Sequence, residues 1–464
     1  MSQTLELPAE HNAPMRASPW RAELKALLLL GAPMALTQLI QFSINTVDVL
    51  MIGRLGAEPL AAASLGIVMY YAVFLLGLGP AMAISPLVSQ ALGRDRNDVV
   101  DVRRSVRMGL WANVLMFPLA LVLFLNAGSI ARALGQPEAL AALAGPYVIA
   151  LAPGLPFMLG VIMMRNYLAA IEKTKIPLLF ILATTFVNAF LNYLLIYGNW
   201  GFPRLELVGA GIASAISHAA GFFLLVGYSC VDRDARRFEI LKNAHKIDWE
   251  RLREIFRLGW PIGVTIGFEA MLFNSSVFLM GRIGVNEVAA YQVALNVAAL
   301  AFMMPLGMSM AGGVRVGLAA GAGDRAGVRR AAALTILVCA SIIMMFAIPV
   351  MLAPHRIAGL YLNAAEPHNA AVLGLVARFL PIAAAFALFD ATQVAAAQCL
   401  RGLKDVRMPM LLTGISYWVI GFPLAAWLGL GTEVGAVGIW WGLLAALAAA
   451  SFTLGGRLLF LVRR

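Results

Sequence analysis

Long apolar runs set the first limit on what this chain can become. A stretch of about 18 or more apolar residues reads as a helix crossing a bilayer, because a helix satisfies its own backbone hydrogen bonds there. Twelve such runs are legible, at 26–52, 60–92, 105–127, 138–164, 177–198, 208–231, 255–281, 288–320, 329–353, 369–400, 409–429 and 435–461. Their connections are short and carry turn residues, as in Gly135-Gln136-Pro137. The exception is 232–254, long, charged and central, which reads as a linker between two halves. The expected architecture is an all-α integral membrane protein of twelve transmembrane helices in two six-helix lobes. It divides into a tail at 1–25, an N-lobe at 26–231, the linker at 232–254 and a C-lobe at 255–464.

Charge supports this reading. Only 13% of residues are charged, where a soluble chain carries roughly a quarter. The net charge of +11 does not form the single basic patch that nucleic acid would need. Most of the 35 Lys and Arg fall in the tail, the 94–107 loop, the linker and the alternate loops that follow it. The other side carries only Arg54, Arg132, Arg204, Arg282 and Arg356. Basic loops stay in the cytoplasm, so both termini are expected there. The 3 cysteines, Cys230, Cys339 and Cys399, all lie in or beside apolar runs and offer no metal or disulfide spacing.

The chain also repeats itself. "GAP" at 31–33 matches "GWP" at 259–261, and "MIGRLGAEPLAA" at 51–62 matches "LMGRIGVNEVAA" at 279–290, both at an offset of 228. Each repeat holds an even number of spans, so both enter the membrane from the same face. The lobes should be related by a pseudo-twofold along the membrane normal, with a cleft between them.

Three acidic residues lie deep in apolar runs: Asp48, Glu269 and Asp390. An ionised side chain at the bilayer centre costs on the order of 2.5–3.5 kcal/mol, so such groups mark ion or proton paths by default. At the 228 offset Asp48 falls on Ser276 and Glu269 falls on Gln41, while an offset of 232 near the fourth span of each half places Met158 opposite Asp390. The scaffold repeats; its acids do not. In span 5, Asn188 and Asn192 share one helix face. With Asp48 and a hydroxyl they would make an oxygen-rich site for a monovalent cation, or else serve as interhelical hydrogen bonds. Pro33 and Pro261, at matching positions, could let spans 1 and 7 bend. Methionines at 302–310 and His218 could line or serve a cavity, or simply pack helices. No phosphate-binding glycine loop, catalytic triad pattern or metal cluster appears, so neither ATP nor an enzyme reading has support.

The residues resemble the multidrug and toxic compound extrusion (MATE) family, in its bacterial NorM-type branch. The likeness rests on "NTVDVLMIGRLG", "GRIGVNEVAAYQVALN", "AAAQCLRGLKDVRMP" and "VGAGIASAIS", and extends over the chain after residue 25. It implies a multi-pass protein of the bacterial inner membrane that exports bulky, often cationic or amphiphilic compounds, driven by inward Na⁺ or H⁺, with no other cofactor. It also implies a monomer. By that similarity Asp48, Asn188, Asn192 and Ser214 match an N-lobe cation or proton site. Glu269 and Asp390 match a C-lobe acidic pair, and Gln41 and Gln292 polar cavity positions. Phe302 and Phe386 are expected to line the same cavity, at positions where relatives place tyrosines. Two other readings stay open at this point. A lipid-linked precursor flippase of the same superfamily would need cavity cations, for which Arg165, Arg315 and Arg378 are the candidates. A major-facilitator transporter also has twelve spans, but the span 1 motif does not fit it.

Overall fold

The computed structural model describes residues 18–361 and 369–463. Its helices, in chain order, are α1 (Pro19–Gly53), α2 (Ala57–Arg94), α3 (Val99–Leu125), α4 (Ala127–Ala133), α5 (Glu138–Leu151), α6 (Gly154–Ala170), α7 (Lys175–Tyr197), α8 (Glu206–Val231) and α9 (Arg233–Arg236). They continue as α10 (Trp249–Ile283), α11 (Val285–Gly321), α12 (Arg325–Leu352), α13 (Pro354–Tyr361), α14 (Ala370–Gly402), α15 (Arg407–Gly414), α16 (Phe422–Leu430) and α17 (Ala436–Arg463). Among the described residues eleven spans are each long and apolar enough to cross a membrane, and the pair α5–α6, bent by 48°, makes a twelfth if taken as one span. The bend falls at Pro153, which lacks the N–H that would continue the helix. A π-helical stretch at Ile415–Gly421 joins α15 to α16 just before Pro423, for the same reason. Among the described residues there is no strand.

Local chemistry sets the ends. Ser18 caps α1, with Pro19 at its first position, and Asp98, Asp248 and Asp324 cap α3, α10 and α12 by accepting from backbone N–H groups in the first turn. The helix α1 begins at Pro19, so residues 19–25 of the expected tail are helical, and residues 1–17 lie outside the described residues. The last six residues of the expected linker likewise open α10. The rest of the linker is a docked strap. Ala235 and Phe238 are fully buried, Tyr167 Oη donates to Ala235 O (3.0 Å) and Trp111 Nε1 to Ala244 O (2.7 Å).

Helices α1–α8 form one lobe and α10–α17 the other, and their packing bears out the repeat. A methyl on Gly79 would lie 2.2 Å from Gly259 O and 3.0 Å from Gly263 N, so α2 and α10 cross in van der Waals contact. A methyl on Gly307 would lie 2.3 Å from Ala35 Cα, and one on Gly31 2.5 Å from Met308 Sδ, where α1 crosses α11. These crossings are equivalent: at the 228 offset Gly79, Gly31 and Ala35 map onto Gly307, Gly259 and Gly263. On the pseudo-axis itself repeat-mates meet each other. A methyl on Gly317 would lie 2.1 Å from Ser89 Oγ, and one on Gly93 3.0 Å from Gly321 Cα.

All these contacts fall in the half of the bundle nearest the linker. Polar contacts between the lobes gather at the same end. Arg315 on α11 makes a two-pronged bond to Glu23 on α1 (2.8 and 2.7 Å) and a further one to Glu172 (3.1 Å), and Gln90 Nε2 donates to Gly402 O (2.8 Å). Arg104 on α3 clamps Asp248 at the head of α10, and Arg251 on α10 bonds Asp101 on α3. The lobes are therefore shut at the linker face.

The Arg104 guanidinium bonded to Asp248 holds that carboxyl below its usual value. A lowered folded value means the stabilisation is fully present above the unfolded value of about 3.9 and is lost as pH falls through the folded one. Asp248→Asn is expected to cost under about 1 kcal/mol at pH 7, the range of a partly exposed ion pair. The difference from the parent should narrow as thermal unfolding in detergent is repeated from pH 5 down to pH 3. A constant difference would show that charge is not what holds the clamp.

Candidate functional site

In the N-lobe, one polar cluster forms where α1, α7 and α8 meet. Asp48 lies about one and a half turns before the distal end of α1. Asn192 Nδ2 donates to Asp48 Oδ1 (2.7 Å) and to Asn188 Oδ1 (3.2 Å). Asn188 Nδ2 in turn donates to Ser214 Oγ (3.4 Å). Tyr197 Oη, about one and a half turns beyond Asn192 on α7, donates to Met51 O (2.8 Å) and fixes α1 against α7. Asn192 is fully buried, yet its own Oδ1 has no donor. The structure thus brings Asp48, Asn188, Asn192 and Ser214 together: the spacing of the two asparagines suggested their shared face, and the family resemblance suggested Ser214. One carboxylate, one orphaned amide oxygen and one hydroxyl form an oxygen set that can take a hard monovalent cation or a proton.

The C-lobe cluster gathers residues from α10, α14 and the π-helical stretch. Glu269 and Asp390 lie within electrostatic reach of each other, and Gln393 Nε2 donates to Asp390 Oδ1 (3.2 Å). Asp390 is 5% exposed. Two members had no sequence signal strong enough to single them out. Arg401, read as a loop residue, sits in the last turn of α14, half-buried and within electrostatic reach of Glu269. Tyr417 is fully buried, its hydroxyl has no hydrogen-bond partner, and both carboxylates lie within its electrostatic reach. Tyr417 thus brings a phenolic oxygen to the neighbourhood of the pair from a span other than those of Phe302 and Phe386. The signal that could have found it was a tyrosine six residues before Pro423 in an apolar run.

The other expected positions scatter. Gln41 accepts from Arg165 Nη1 (2.9 Å) rather than joining either acidic cluster. Gln292 is exposed near the distal end of α11, and Phe302 is half-buried further along it. Phe386 corrects the expectation of a cavity-lining ring. It is 2% exposed and packs against Phe273 and Trp440, each at 5.7 Å between centroids, because the aromatic core of the C-lobe closes around it. Pro33 and Pro261 lie inside unbroken helices, and their carbonyls also accept from the hydroxyls of Thr37 (2.7 Å) and Thr265 (2.8 Å) one turn on, again a repeat-related pair.

A two-lobed bundle of membrane-length helices, with a buried polar cluster in each lobe, defines an integral membrane protein of transporter architecture. Comparison with known proteins gives the family: the model described as MatE matches residues 33–194 and 261–427, one segment in each lobe, and the chain belongs to that family. A probable multidrug resistance protein NorM of Rhizobium meliloti (strain 1021) is 41% identical over 449 residues, which is 96% of this chain and 95% of the relative. A protein of the same description from Mesorhizobium japonicum is 38% identical over 434 residues, 93% of this chain and 92% of the relative. Among solved structures, an outward-facing multidrug resistance MATE transporter matches in fold with a TM-score of 0.85 at 20% identity, covering 95% of this chain and 96% of that one. Membership of this family removes the major-facilitator alternative.

Proposed function

We propose that this chain is a secondary antiporter that exports amphiphilic, often cationic compounds in exchange for inward Na⁺ or H⁺. The observation that carries the reading is the N-lobe cluster: an unduplicated carboxylate that accepts from one amide, Asn192, beside a fully buried amide oxygen without a donor. Relatives of more than a third identity over nearly the whole chain, described as multidrug resistance proteins, support it. The basic linker face is the cytoplasmic one on the positive-inside rule, so the conformation described is the one shut toward the cytoplasm. We place the protein in the bacterial inner membrane, acting as a monomer.

In this mechanism Asp48 and the Glu269–Asp390 pair take up the coupling ion while the distal side is open. Neutralising them weakens their hold on a cationic substrate, which leaves outward. The neutralised clusters then cross the low-dielectric region cheaply as the lobes rock about the α1–α11 and α2–α10 crossings. One charge moving inward through 100 mV gains about 2.3 kcal/mol, roughly a fortyfold concentration ratio. The flippase alternative loses most of its support. Arg315 is tied to Glu23 and Glu172 at the linker face, and Arg378 is exposed near the distal end of α14.

The test is dye efflux from proteoliposomes with the Na⁺ and pH gradients imposed separately. Uphill dye movement under at least one gradient is expected. Dye movement that ignores both gradients would refute ion-coupled export.

A further inference from the structure

Two arginines at the linker end of α10, Arg253 and Arg257, lose the acids best placed to pair with them. Glu250 and Glu254 sit three residues before them, a spacing at which opposite charges on a helix can meet. Glu254 instead takes Arg251 (2.8 Å) and Lys404 (3.3 Å), and Glu250 leans toward Arg104 on α3 (3.7 Å). Both acids are thus drawn into the contacts that hold α10 to its neighbours. Arg253 and Arg257 are exposed, and among the described residues neither has an ion-pair partner.

The side of α10 that carries them turns away from the protein. Trp249, Arg253, Arg257, Trp260, Met271 and Phe278 are all exposed, and their spacings of four, four, three, eleven and seven keep them on one helical stripe. A methyl built on Gly267, on the same stripe, would meet nothing within 4 Å. The crossing with α2 at Gly259 and the bond from Arg251 to Asp101 lie on other sides of the helix. On a membrane span an exposed apolar stripe of this kind faces lipid. Arg253 and Arg257 lie about 6 and 12 Å along the axis from Trp249, at 1.5 Å per residue. Trp249 and Trp260, 68% and 65% exposed, bracket the pair, and tryptophan settles where headgroups meet acyl chains. The two guanidinium groups therefore stand at headgroup level on the outer surface of the C-lobe, with the indoles before and after them.

We propose that Arg253 and Arg257, between Trp249 and Trp260, bind a two-phosphate lipid of the cytoplasmic leaflet, of the cardiolipin type. A guanidinium fork takes a phosphate two-pronged, and Cβ atoms one turn apart are about 5–6 Å from each other, so the pair can grip two phosphates joined by a short glycerol bridge. The indoles cover the glycerol and the first acyl carbons. A lipid with one phosphate would leave one of the two forks without its oxyanion. The bound lipid supplies the negative charge that Glu250 and Glu254 spend elsewhere. It also braces the head of α10, whose Asp248 and Arg251 hold the lobes together through α3. The site is independent of what the protein exports.

The experiment places the purified full-length protein in phosphatidylcholine nanodiscs, alone, with cardiolipin, or with phosphatidylglycerol at two molecules for each cardiolipin so that charge is matched. Retained lipid is counted by native mass spectrometry, and thermal unfolding is followed in the same discs. The parent should retain cardiolipin at least tenfold better than phosphatidylglycerol, and cardiolipin should raise its unfolding midpoint. Arg253→Gln with Arg257→Gln should retain at least tenfold less cardiolipin and lose that rise, while unfolding with the parent in phosphatidylcholine alone, which shows that it folds. Arg253→Lys with Arg257→Lys, which keeps the charge and loses the forks, should fall between. Arg96→Gln with Lys246→Gln removes two exposed charges of the linker face away from this stripe and should behave as the parent does. An equal loss in that control pair would reduce the effect to diffuse surface charge and overturn the site. Equal retention of the two lipids at matched charge, or undiminished cardiolipin in the double glutamine variant, would overturn it as well.

Discussion

Asp48→Asn is expected to abolish ion-coupled dye export while leaving the protein folded. The substitution removes a charge and keeps the shape, and the new amide oxygen can still accept from Asn192 Nδ2, which now bonds Asp48 Oδ1 at 2.7 Å. What disappears is the only charge in the N-lobe oxygen set. A hydrogen bond or contact to a charged group contributes about 1.5–3 kcal/mol, so cation affinity should fall roughly 10- to 150-fold. Thermal unfolding should barely shift, because no buried charge is left unpaired. Asp390→Asn should act similarly through the other lobe, where Gln393 remains as a hydrogen-bond donor to the new amide oxygen. Vesicle efflux together with thermal unfolding checks both variants. Undiminished efflux in either one would remove that carboxylate from the coupling path.

Gly307→Val should have the second large effect, acting on the closed seam between the lobes. A single methyl there would already lie 2.3 Å from Ala35 Cα, a backbone atom that cannot swing aside. Overpacking of this kind costs about 1–3 kcal/mol. The strain falls only on the conformation shut at the linker face, so the population moves toward one in which that face opens. The shift can be read by maleimide labelling of Ser89→Cys in a Cys230→Ser background, since Ser89 is fully buried at the seam and Cys230 is the exposed native thiol. Labelling should accelerate roughly 5- to 150-fold, the population change that 1–3 kcal/mol allows. An unchanged rate would mean that the seam does not set the equilibrium between the two conformations. Gly79→Val, at the equivalent crossing, should behave alike.

Much of this architecture could be read before any coordinates, because lipid imposes a one-dimensional signal. The spans were legible from run length alone, with edges moved by a turn or so where an aspartate cap or Pro19 extends a helix past its apolar part. The repeat was legible from two short matches, and the same offset predicts which glycines of one lobe face the other. The N-lobe cluster could be anticipated because Asn188 and Asn192 announce a shared face within a single helix. The C-lobe cluster could be read only in part. Its two acids stand out against hydrocarbon, but Tyr417 and Arg401 join them from separate elements, and nothing local marks that approach. Arg165 is a similar case. An arginine near the end of an apolar run looks like any interfacial cation until Gln38 and Gln41 are seen to hold it.

The meeting of repeat-mates on the pseudo-axis carries a consequence for how the two halves diverge. At Gly93 and Gly321, and at Ser89 and Gly317, bulk added in one copy of the ancestral unit falls on the other copy's version of the same position. Each half thereby polices the other's drift along this line. Asp48, Glu269 and Asp390 stand away from it, answer to no twin, and were free to specialise while the spine of the molecule kept its record of duplication.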